Sequence, residues 1–266
     1  MVNLNPISAW RQILAMPNES RTKTLVMAFA VSAACALLVA GATVILRPIQ
    51  AANRAAEQQA QLEALIAGIP GMSMLLSTAG GTLSTVVIDL NTGRAATEVS
   101  PASLPEALTD PANWSSLTPE QDLAGLSRRP NFAQIYLLRD STAEISVAIL
   151  PFAGWGYNGP IDAIMALQSD MNTVAGLSII THIETPGLGA RIEEPAWLSQ
   201  FQGTKIADDT GRARIAVVRG AAGNEYEVDG ITGATRTSNA MSQMLRFWVG
   251  PDGYKPFFDA VKRGEF

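Results

Sequence analysis

The distribution of hydrophobic and polar residues marks a long apolar segment near the N-terminus. Thr24–Leu46 holds 23 consecutive residues without a charged side chain, and ten of them are Leu, Ile, Val or Phe. A helix of this length spans roughly 35 Å, which exceeds a hydrocarbon core about 30 Å thick. Arg21 and Lys23 precede the segment, and Arg47-Pro48 follows it. This pattern predicts a single N-terminal transmembrane helix over residues 24–46.

A cleaved signal peptide is the alternative for this segment, because Ala40-Gly41-Ala42 resembles a small-residue cleavage site. The apolar run is longer than a usual signal-peptide core, and 23 residues precede it, so a retained anchor is favoured. A weak excess of basic residues on the N-terminal side predicts a cytoplasmic segment over residues 1–23. The basic residues are Arg11, Arg21 and Lys23 before the span and Arg47 and Arg54 after it.

The pattern over residues 47–130 predicts a helical stalk and an accessory α/β region. Gln50–Ala67 is rich in Ala, Gln and Glu, and the Gly-Ile-Pro-Gly sequence that follows predicts the end of the stalk. Leu83–Leu90 is β-branched and apolar, and the turn residues Asn91–Gly93 after it predict a hairpin. Ser100–Pro130 contains five prolines and predicts an irregular connection that includes a short helix.

Residues 131–266 predict a second domain in which strand signals are dense. Near its end, apolar residues recur at helical spacing from Met241 to Trp248, which predicts an amphipathic helix over Ser238–Val249. The predicted fold class is therefore α+β, with a mainly antiparallel sheet and few helices. The predicted strands are Gln134–Leu138, Glu144–Leu150, Ile161–Leu167, Val174–Ile183, Ile215–Val218 and Tyr226–Val228.

Composition and charge narrow the class of function. Lys and Arg total 19 against 24 Asp and Glu, and there is no basic run, so nothing indicates nucleic-acid binding. Cys35 is the only cysteine and lies in the apolar segment. Disulfides within the chain, paired-cysteine redox sites and cysteine-rich metal sites are therefore excluded. A redox role would require a cofactor that needs no thiolate ligand.

Gly154–Gly159 spells GxGxxG, the fingerprint of dinucleotide-binding loops. That fingerprint requires the third glycine to open a helix whose N-terminal amides receive a pyrophosphate. Here Pro160 and a strand-like segment follow, so we interpret Gly154–Gly159 as a glycine-rich connection between strands. His182, the only histidine, lies at a predicted strand end, where a structural role is favoured over catalysis or metal ligation.

Glu184–Gly189 reads Glu-Thr-Pro-Gly-Leu-Gly and predicts a tight turn. Proline followed by glycine suits a type II turn, because proline fixes φ and glycine tolerates a positive φ. Gly189 leaves the main chain bare where a ligand could approach it. An ordinary turn without a ligand remains equally compatible with this segment taken alone.

Asp229–Ser238 combines four hydroxyl residues with two glycines and an alanine, directly before the predicted amphipathic helix. Small side chains give a phosphorylated ligand access to the main chain, and a helix N-terminus offers free N–H groups to a phosphate. Thr237 or Ser238 is expected to cap the helix, which leaves Thr235 free for other chemistry. A Ser/Thr-rich helix cap that binds nothing is the alternative.

At these residues the chain resembles the FMN-binding subunits of membrane redox complexes. The attachment motif of that family, Asp-x-x-Ser/Thr-Gly-Ala-Thr, is matched by Asp229–Thr235, and its Glu-Thr-Pro-Gly-Leu-Gly turn is matched by Glu184–Gly189. The closer resemblance is to the C subunit of the sodium-translocating NADH:quinone oxidoreductase, and the G subunit of the Rnf complex is the alternative. Ala190, where the family usually has glycine, and the Gly156–Gly159 stretch depart from the pattern of that C subunit.

The resemblance implies an electron carrier of the sodium-pumping complex that relays electrons from NADH toward ubiquinone. FMN would be joined by a phosphoester to Thr235 within residues 131–266, and a separate flavin transferase would install it. The other subunits would be the partners, in a bacterial inner membrane with a cytoplasmic N-terminus and a periplasmic main domain. Arg236 or Lys205 would offset the phosphate charge. The implied cofactor-binding residues are Thr232, Gly233, Ala234, Thr235, Thr237, Ser238, Glu184, Thr185, Leu188, Gly189 and Lys205.

Two functions from other classes remain open on the residues alone. The chain could be a cofactor-free assembly protein, anchored by its helix and bracing its neighbours. It could also be an extracytoplasmic hydrolase that uses His182. A covalent flavin would distinguish the electron carrier from both.

Overall fold

The computed structural model describes residues 11, 13–17, 20–67 and 82–266. The chain divides into two compact units after Glu63. The predicted end of the stalk, at Gly68–Gly71, lies outside the described residues.

The N-terminal unit is built on one long helix, α1, over Arg21–Ala67. The predicted transmembrane helix and the predicted stalk are thus continuous, and α1 passes through Pro48 although proline supplies no N–H to the carbonyl oxygen of Val44. Arg21–Gly41 is long and apolar enough to cross a membrane. None of that stretch is buried in protein, so its apolar side chains lie on the surface of the helix.

A five-stranded antiparallel sheet forms the centre of the second unit. Its strands are Thr82–Asp89 (β1), Phe132–Arg139 (β4), Ile145–Trp155 (β5), Pro160–Gln168 (β6) and Val174–His182 (β7), while β2 and β3 form a separate ribbon described below. The strand order is β1-β4-β5-β6-β7, and neighbours in the chain pair directly from β4 onward. The four long strands predicted between residues 134 and 183 are confirmed, with shifts of a few residues at their ends.

The turn predicted after the first strand is present, but the hairpin that it closes is limited to a single antiparallel bridge. Strand β1 pairs over its full length with β4, and the chain after the Asn91–Gly93 turn returns for only one bridge, between Ile88 and Ala95. The turn residues signal a reversal of direction, but they do not determine which segment becomes the paired neighbour. The distant strand β4 offers an eight-residue register, which the short segment after the turn does not match.

The region over residues 100–130 forms small elements, as the prolines predict. A short helix is present, followed by a 3-10 turn and a two-stranded antiparallel ribbon that the sequence did not indicate. The bounds are Leu104–Ala107 (α2), Pro111–Asn113 (3-10), Trp114–Ser116 (β2) and Arg128–Pro130 (β3).

Short helical turns and a parallel strand pair follow the sheet. The two strands predicted near residues 215 and 226 are present, but they pair with each other in parallel, away from the main sheet. The bounds are Gly189–Glu193 (3-10), Pro195–Leu198 (α3), Ser199–Phe201 (3-10), Ala216–Val218 (β8), Glu227–Asp229 (β9), Thr235–Trp248 (α4) and Lys255–Lys262 (α5).

Helix α4 packs between the sheet and the parallel pair, against β5 and β8. Its apolar face is buried as the spacing predicts, with Met241, Met244 and Leu245 fully enclosed. The Trp248 indole N–H donates to the carbonyl oxygen of Ala153 at 2.6 Å, which fixes the C-terminal end of α4 on β5. This packing sets where the N-terminal end of α4 lies.

Candidate cofactor site

Helix α4 begins at Thr235, three residues earlier than the pattern predicts, and Ala234 occupies the N-cap position. The expectation that Thr237 or Ser238 caps the helix is therefore wrong, because both already lie in its first turn. The Thr237 hydroxyl donates to Glu184 Oε2 at 2.6 Å, and Ser238 Oγ accepts from the Ile231 N–H at 3.0 Å. Both side chains are buried.

Thr235 is the hydroxyl residue of the first helical turn that stays accessible. Its side chain is exposed, and no other described group hydrogen-bonds to it. The first intrahelical bond runs from the Ser238 N–H to the Ala234 carbonyl oxygen at 3.0 Å. The three N–H groups before it therefore have no acceptor within the helix, and they carry the positive end of the helix dipole. A phosphate on Thr235 would lie at this end.

Two neighbouring cavities meet at Thr235. The larger measures about 550 Å³ and lies on the Asp229–Gly233 side, and the smaller measures about 290 Å³ and lies on the side of the Glu184–Gly189 turn. Gly233 and Thr235 line both. Thr232 and Ser238 line only the larger, whereas Ala234 and Thr237 line only the smaller.

The Glu184–Gly189 segment forms the predicted tight turn. The Leu188 N–H donates to the Thr185 carbonyl oxygen at 3.1 Å, and Gly187 has φ 74°, as a type II turn requires at its third position. A Cβ on Gly233 would lie 3.3 Å from Leu188 Cδ2, so the turn packs directly against the Asp229–Thr235 segment. The two motifs are separated by at least 40 residues in the sequence, yet they form one site.

The GxGxxG segment is the β5–β6 hairpin, which confirms that it is not a dinucleotide loop. Trp155 pairs with Pro160, and the Gly156 N–H donates to the Gly159 carbonyl oxygen at 2.7 Å. No helix follows, since β6 begins at Pro160. The hairpin tip lies at the smaller cavity, where Asn158 Nδ2 donates to Thr185 Oγ1 at 2.7 Å.

Glu184 is buried at the centre of these contacts, with 4% of its surface exposed. Its Oε1 accepts from the backbone N–H groups of Tyr157 and Asn158 at 2.6 and 2.9 Å. Its Oε2 accepts from Thr237, as described above. Both carboxylate oxygens are thus bound by donors of the protein itself.

His182 has a structural role in this geometry. Its Nδ1 accepts from the Glu184 N–H at 3.1 Å, so the neutral ring carries its proton on Nε2, which lies 3.1 Å from Glu193 Oε2. Among the described residues, neither nitrogen faces a serine, threonine or cysteine nucleophile. The interpretation of His182 as structural agrees with these contacts.

The cationic side chains near Thr235 differ in part from those predicted. Arg236 lines the smaller cavity and lies over the Tyr157 ring, 5.0 Å from its centroid. Lys205 instead pairs with Glu225 at 2.8 Å and lines a separate cavity, and the hydrogen bond to Glu225 raises the pKa of the Lys205 ammonium. The structure therefore brings Arg236, but not Lys205, to the site.

Arg219, Tyr157 and Asn158 also line or border the site, and sequence reasoning did not identify them. Arg219 lines the larger cavity because the parallel pairing of β8 with β9 places Val218 beside Asp229. Local sequence carries no signal for such a pairing. Tyr157 and Asn158 could have been found from the hairpin interpretation, since they form its tip.

Comparison with known proteins points to the same part of the chain as the site described above. A family profile described as an FMN-binding domain matches residues 156–250, which include both motifs. The C subunit of the Na(+)-translocating NADH-quinone reductase of Vibrio anguillarum is 37% identical over 94% of this chain and 99% of its own length. The corresponding protein of Pasteurella multocida is 33% identical over 91% of this chain and 94% of its own length.

A solved structure supports the fold as well as the sequence likeness. The crystal structure of Shewanella oneidensis NqrC superposes with a TM-score of 0.63 at 28% identity, over 72% of this chain and 88% of that chain. The relatives match nearly full length at identities above 30%. The chain therefore belongs to the family of C subunits of the Na(+)-translocating NADH-quinone reductase.

Proposed function

We propose that this chain carries FMN on a phosphoester to Thr235 and transfers electrons within a Na(+)-translocating NADH:quinone reductase. One observation carries the proposal. The Thr235 hydroxyl is exposed and makes no hydrogen bond with the residues that the structure describes, and it lies at a helix N-terminus where two cavities meet. The family match supports FMN as the ligand of this site, because the matched domain is described as FMN-binding.

The residues around Thr235 fit a flavin mononucleotide. The two cavities, about 550 and 290 Å³, together have the size of sites that bind cofactor-sized ligands. Gly230 and Gly233 leave the main chain of the larger cavity bare. The helix N-terminus and the guanidinium groups of Arg219 and Arg236 supply positive charge for a phosphate.

The chain's own contribution is attachment, orientation and electrostatics, while bound FMN supplies the electron-transfer chemistry. A covalent bond at Thr235 keeps the cofactor in place without any requirement for binding affinity. The Thr185–Gly189 turn, with Leu188 packed on Gly233, forms a wall against which an isoalloxazine ring would rest. Arg219 and Arg236 would balance the phosphate charge, the role that the family resemblance implies for Arg236 or Lys205.

The apolar surface of α1 supports a membrane anchor. Leu25 and Phe29 are 72% and 75% exposed, which is costly in water for side chains of this size. We infer a single-pass protein of the bacterial inner membrane with its N-terminus in the cytoplasm and its main domain in the periplasm. Its partners would be the other reductase subunits and, during maturation, a flavin transferase. Electrons would pass from NADH toward ubiquinone as Na⁺ is exported.

Denaturing electrophoresis tests the proposal against a cofactor-free assembly protein. Membranes from cells that express the chain with a flavin transferase should give a band that fluoresces under ultraviolet light at the mass of this chain. We expect Thr235→Ala to abolish the fluorescence and Thr235→Ser, which keeps a hydroxyl, to retain it. A dark wild-type band would favour the assembly role.

Two further variants locate the attachment among the remaining hydroxyls. Thr232 lines the larger cavity and is exposed, whereas Thr237 is 2% exposed and bound to Glu184. We expect Thr232→Ala to retain a fluorescent band. Fluorescence that persists in Thr235→Ala but disappears in a double variant with Thr232→Ala would move the site to Thr232.

A further inference from the structure

The buried carboxylate of Glu184 connects the three segments that surround the smaller cavity. We propose that Glu184 is a positioning residue, which holds the hairpin tip, the Thr185–Gly189 turn and the start of α4 in one arrangement, and is not a ligand of FMN. The inference rests on the proposed attachment at Thr235. It assigns a role to a residue whose oxygens are already bound within the protein.

The first connection runs from Glu184 to the β5–β6 hairpin. Glu184 Oε1 accepts from two consecutive backbone N–H groups, those of Tyr157 at 2.6 Å and Asn158 at 2.9 Å. Both donors belong to the hairpin tip, so this one oxygen fixes the tip that carries the Tyr157 ring under Arg236. Charge-assisted bonds of this kind are shorter and stronger than neutral ones.

The second connection runs to the helix that presents Thr235. Glu184 Oε2 accepts from the Thr237 hydroxyl at 2.6 Å, and Thr237 is only 2% exposed. Because Thr237 lies in the same helical turn, this bond sets the rotation of the helix start. It therefore determines the direction in which the Thr235 hydroxyl faces. It also withdraws the Thr237 hydroxyl from the surface, so that Thr235 is the accessible hydroxyl of the first helical turn.

Two glycines allow the carboxylate to occupy this position. A Cβ on Gly156 would overlap Glu184 Oε1, and a Cβ on Gly189 would overlap Glu184 Oε2. The carboxylate thus fills the space that two side chains would take, one on the hairpin and one on the turn. The Glu184 N–H donates to His182 Nδ1 at 3.1 Å, which fixes the backbone from the other side. The group has little room to move.

The test compares Glu184→Ala with Glu184→Gln in the full-length chain, produced with a flavin transferase and purified from membranes. Alanine removes all three hydrogen bonds. Glutamine can keep them, since its amide oxygen can accept from both N–H groups and its amide nitrogen can donate to Thr237 Oγ1. The readouts are attached flavin per chain, and the visible circular dichroism and fluorescence anisotropy of the flavin per mole attached.

We expect Glu184→Ala to lose most of the flavin's visible circular dichroism and to show a lower flavin fluorescence anisotropy. We expect Glu184→Gln to keep both signals near their wild-type values. Loss of attachment in folded Glu184→Ala, with attachment kept in Glu184→Gln, would equally support the proposal. Ile135→Ala is the control, because Ile135 is fully buried in β4, three strands from β7 in the sheet order. It should lower thermal stability without changing the flavin signals.

Two results would overturn the inference. One is an unchanged flavin spectrum in Glu184→Ala, and the other is a Glu184→Gln variant as impaired as alanine. If Glu184→Ala does not fold, the deciding variant is Thr237→Val, which removes one charge-assisted hydrogen bond. Its loss should shift the equilibrium between the ordered and the disordered helix start about tenfold toward the disordered form. An unchanged spectrum in Thr237→Val then contradicts the proposal. A wild-type chain without flavin would instead refute the attachment at Thr235.

Discussion

At the scale of single residues, Gly233 governs how closely the two motifs approach. Its φ is +86°, in the left-handed region that glycine adopts freely, and a Cβ there would lie 3.3 Å from Leu188 Cδ2. We predict that Gly233→Ala lowers the free energy of unfolding by about 1–2 kcal/mol, the usual cost of this region for a residue with a Cβ. Urea denaturation of the chain measures the change.

Gly223 provides the matched control for this substitution. It lies outside the left-handed region, and the nearest atom to an added Cβ is Glu227 Oε2, at an ordinary 3.4 Å. Gly223→Ala should therefore change the free energy of unfolding by no more than about 0.5 kcal/mol. Equal losses in the two variants would show that the backbone of Gly233 is not the cause.

Sequence reasoning at this scale identified the residue types of the site but not their contacts. The motif from Asp229 singled out Thr235, and the structure leaves that hydroxyl accessible. The pattern predicts a helix start at Ser238 with Thr237 or Ser238 as the cap, whereas the helix begins at Thr235. Their hydrogen-bond partners are Glu184, 53 residues from Thr237, and the Ile231 N–H in the loop before the helix. Neither follows from local sequence.

At the scale of elements, α4 presents Thr235 because its apolar face is anchored. Met241 is fully buried, six residues after Thr235, whereas Gln243 on the same helix is exposed. We predict that Met241→Ala lowers the free energy of unfolding by about 2–5 kcal/mol, as large-to-small changes in a core do. Gln243→Ala, the matched control, should stay within about 0.5 kcal/mol of wild type. Similar losses in both would contradict the assigned helix face.

The hydrophobic periodicity of the sequence predicts those strands that pair with their neighbours in the chain. Strands β4 to β7 alternate or run apolar between short turns, and each pairs with its neighbour in the chain, so the antiparallel sheet could be read directly. Strands β1 and β4, by contrast, are distant in the chain, and β8 and β9 run parallel to each other although only a short connection separates them. Such pairings depend on the tertiary packing of the whole domain, and the sequence pattern of a short strand does not contain that information.

At the scale of the whole molecule, Tyr254 connects the C-terminal segment to the central sheet. Its hydroxyl donates to the Pro151 carbonyl oxygen, the residue is 1% exposed, and burial raises the pKa of its phenol far above the usual value of 10.0. The neutral phenol is thus favoured in the folded state. The stability that this provides is complete below about pH 10 and decreases as the pH rises further.

Tyr254→Phe tests this linkage. We predict a loss of about 1–2 kcal/mol at neutral pH, because the Pro151 carbonyl oxygen loses its donor. Above pH 10 the difference between the variant and wild type should become smaller, since phenylalanine does not ionise. Urea midpoints measured between pH 8 and pH 11 give both values. A difference that stays constant across this range would show that Tyr254 does not control alkaline stability.

The proposed function depends on FMN bound at the side-chain oxygen of Thr235. Mass spectrometry of the peptide that contains Thr235, from chain produced with a flavin transferase, examines that bond directly. We expect the peptide to be heavier by one FMN less one water, and fragmentation to assign this added mass to Thr235. A peptide at its unmodified mass, or with the added mass on another residue, would contradict it.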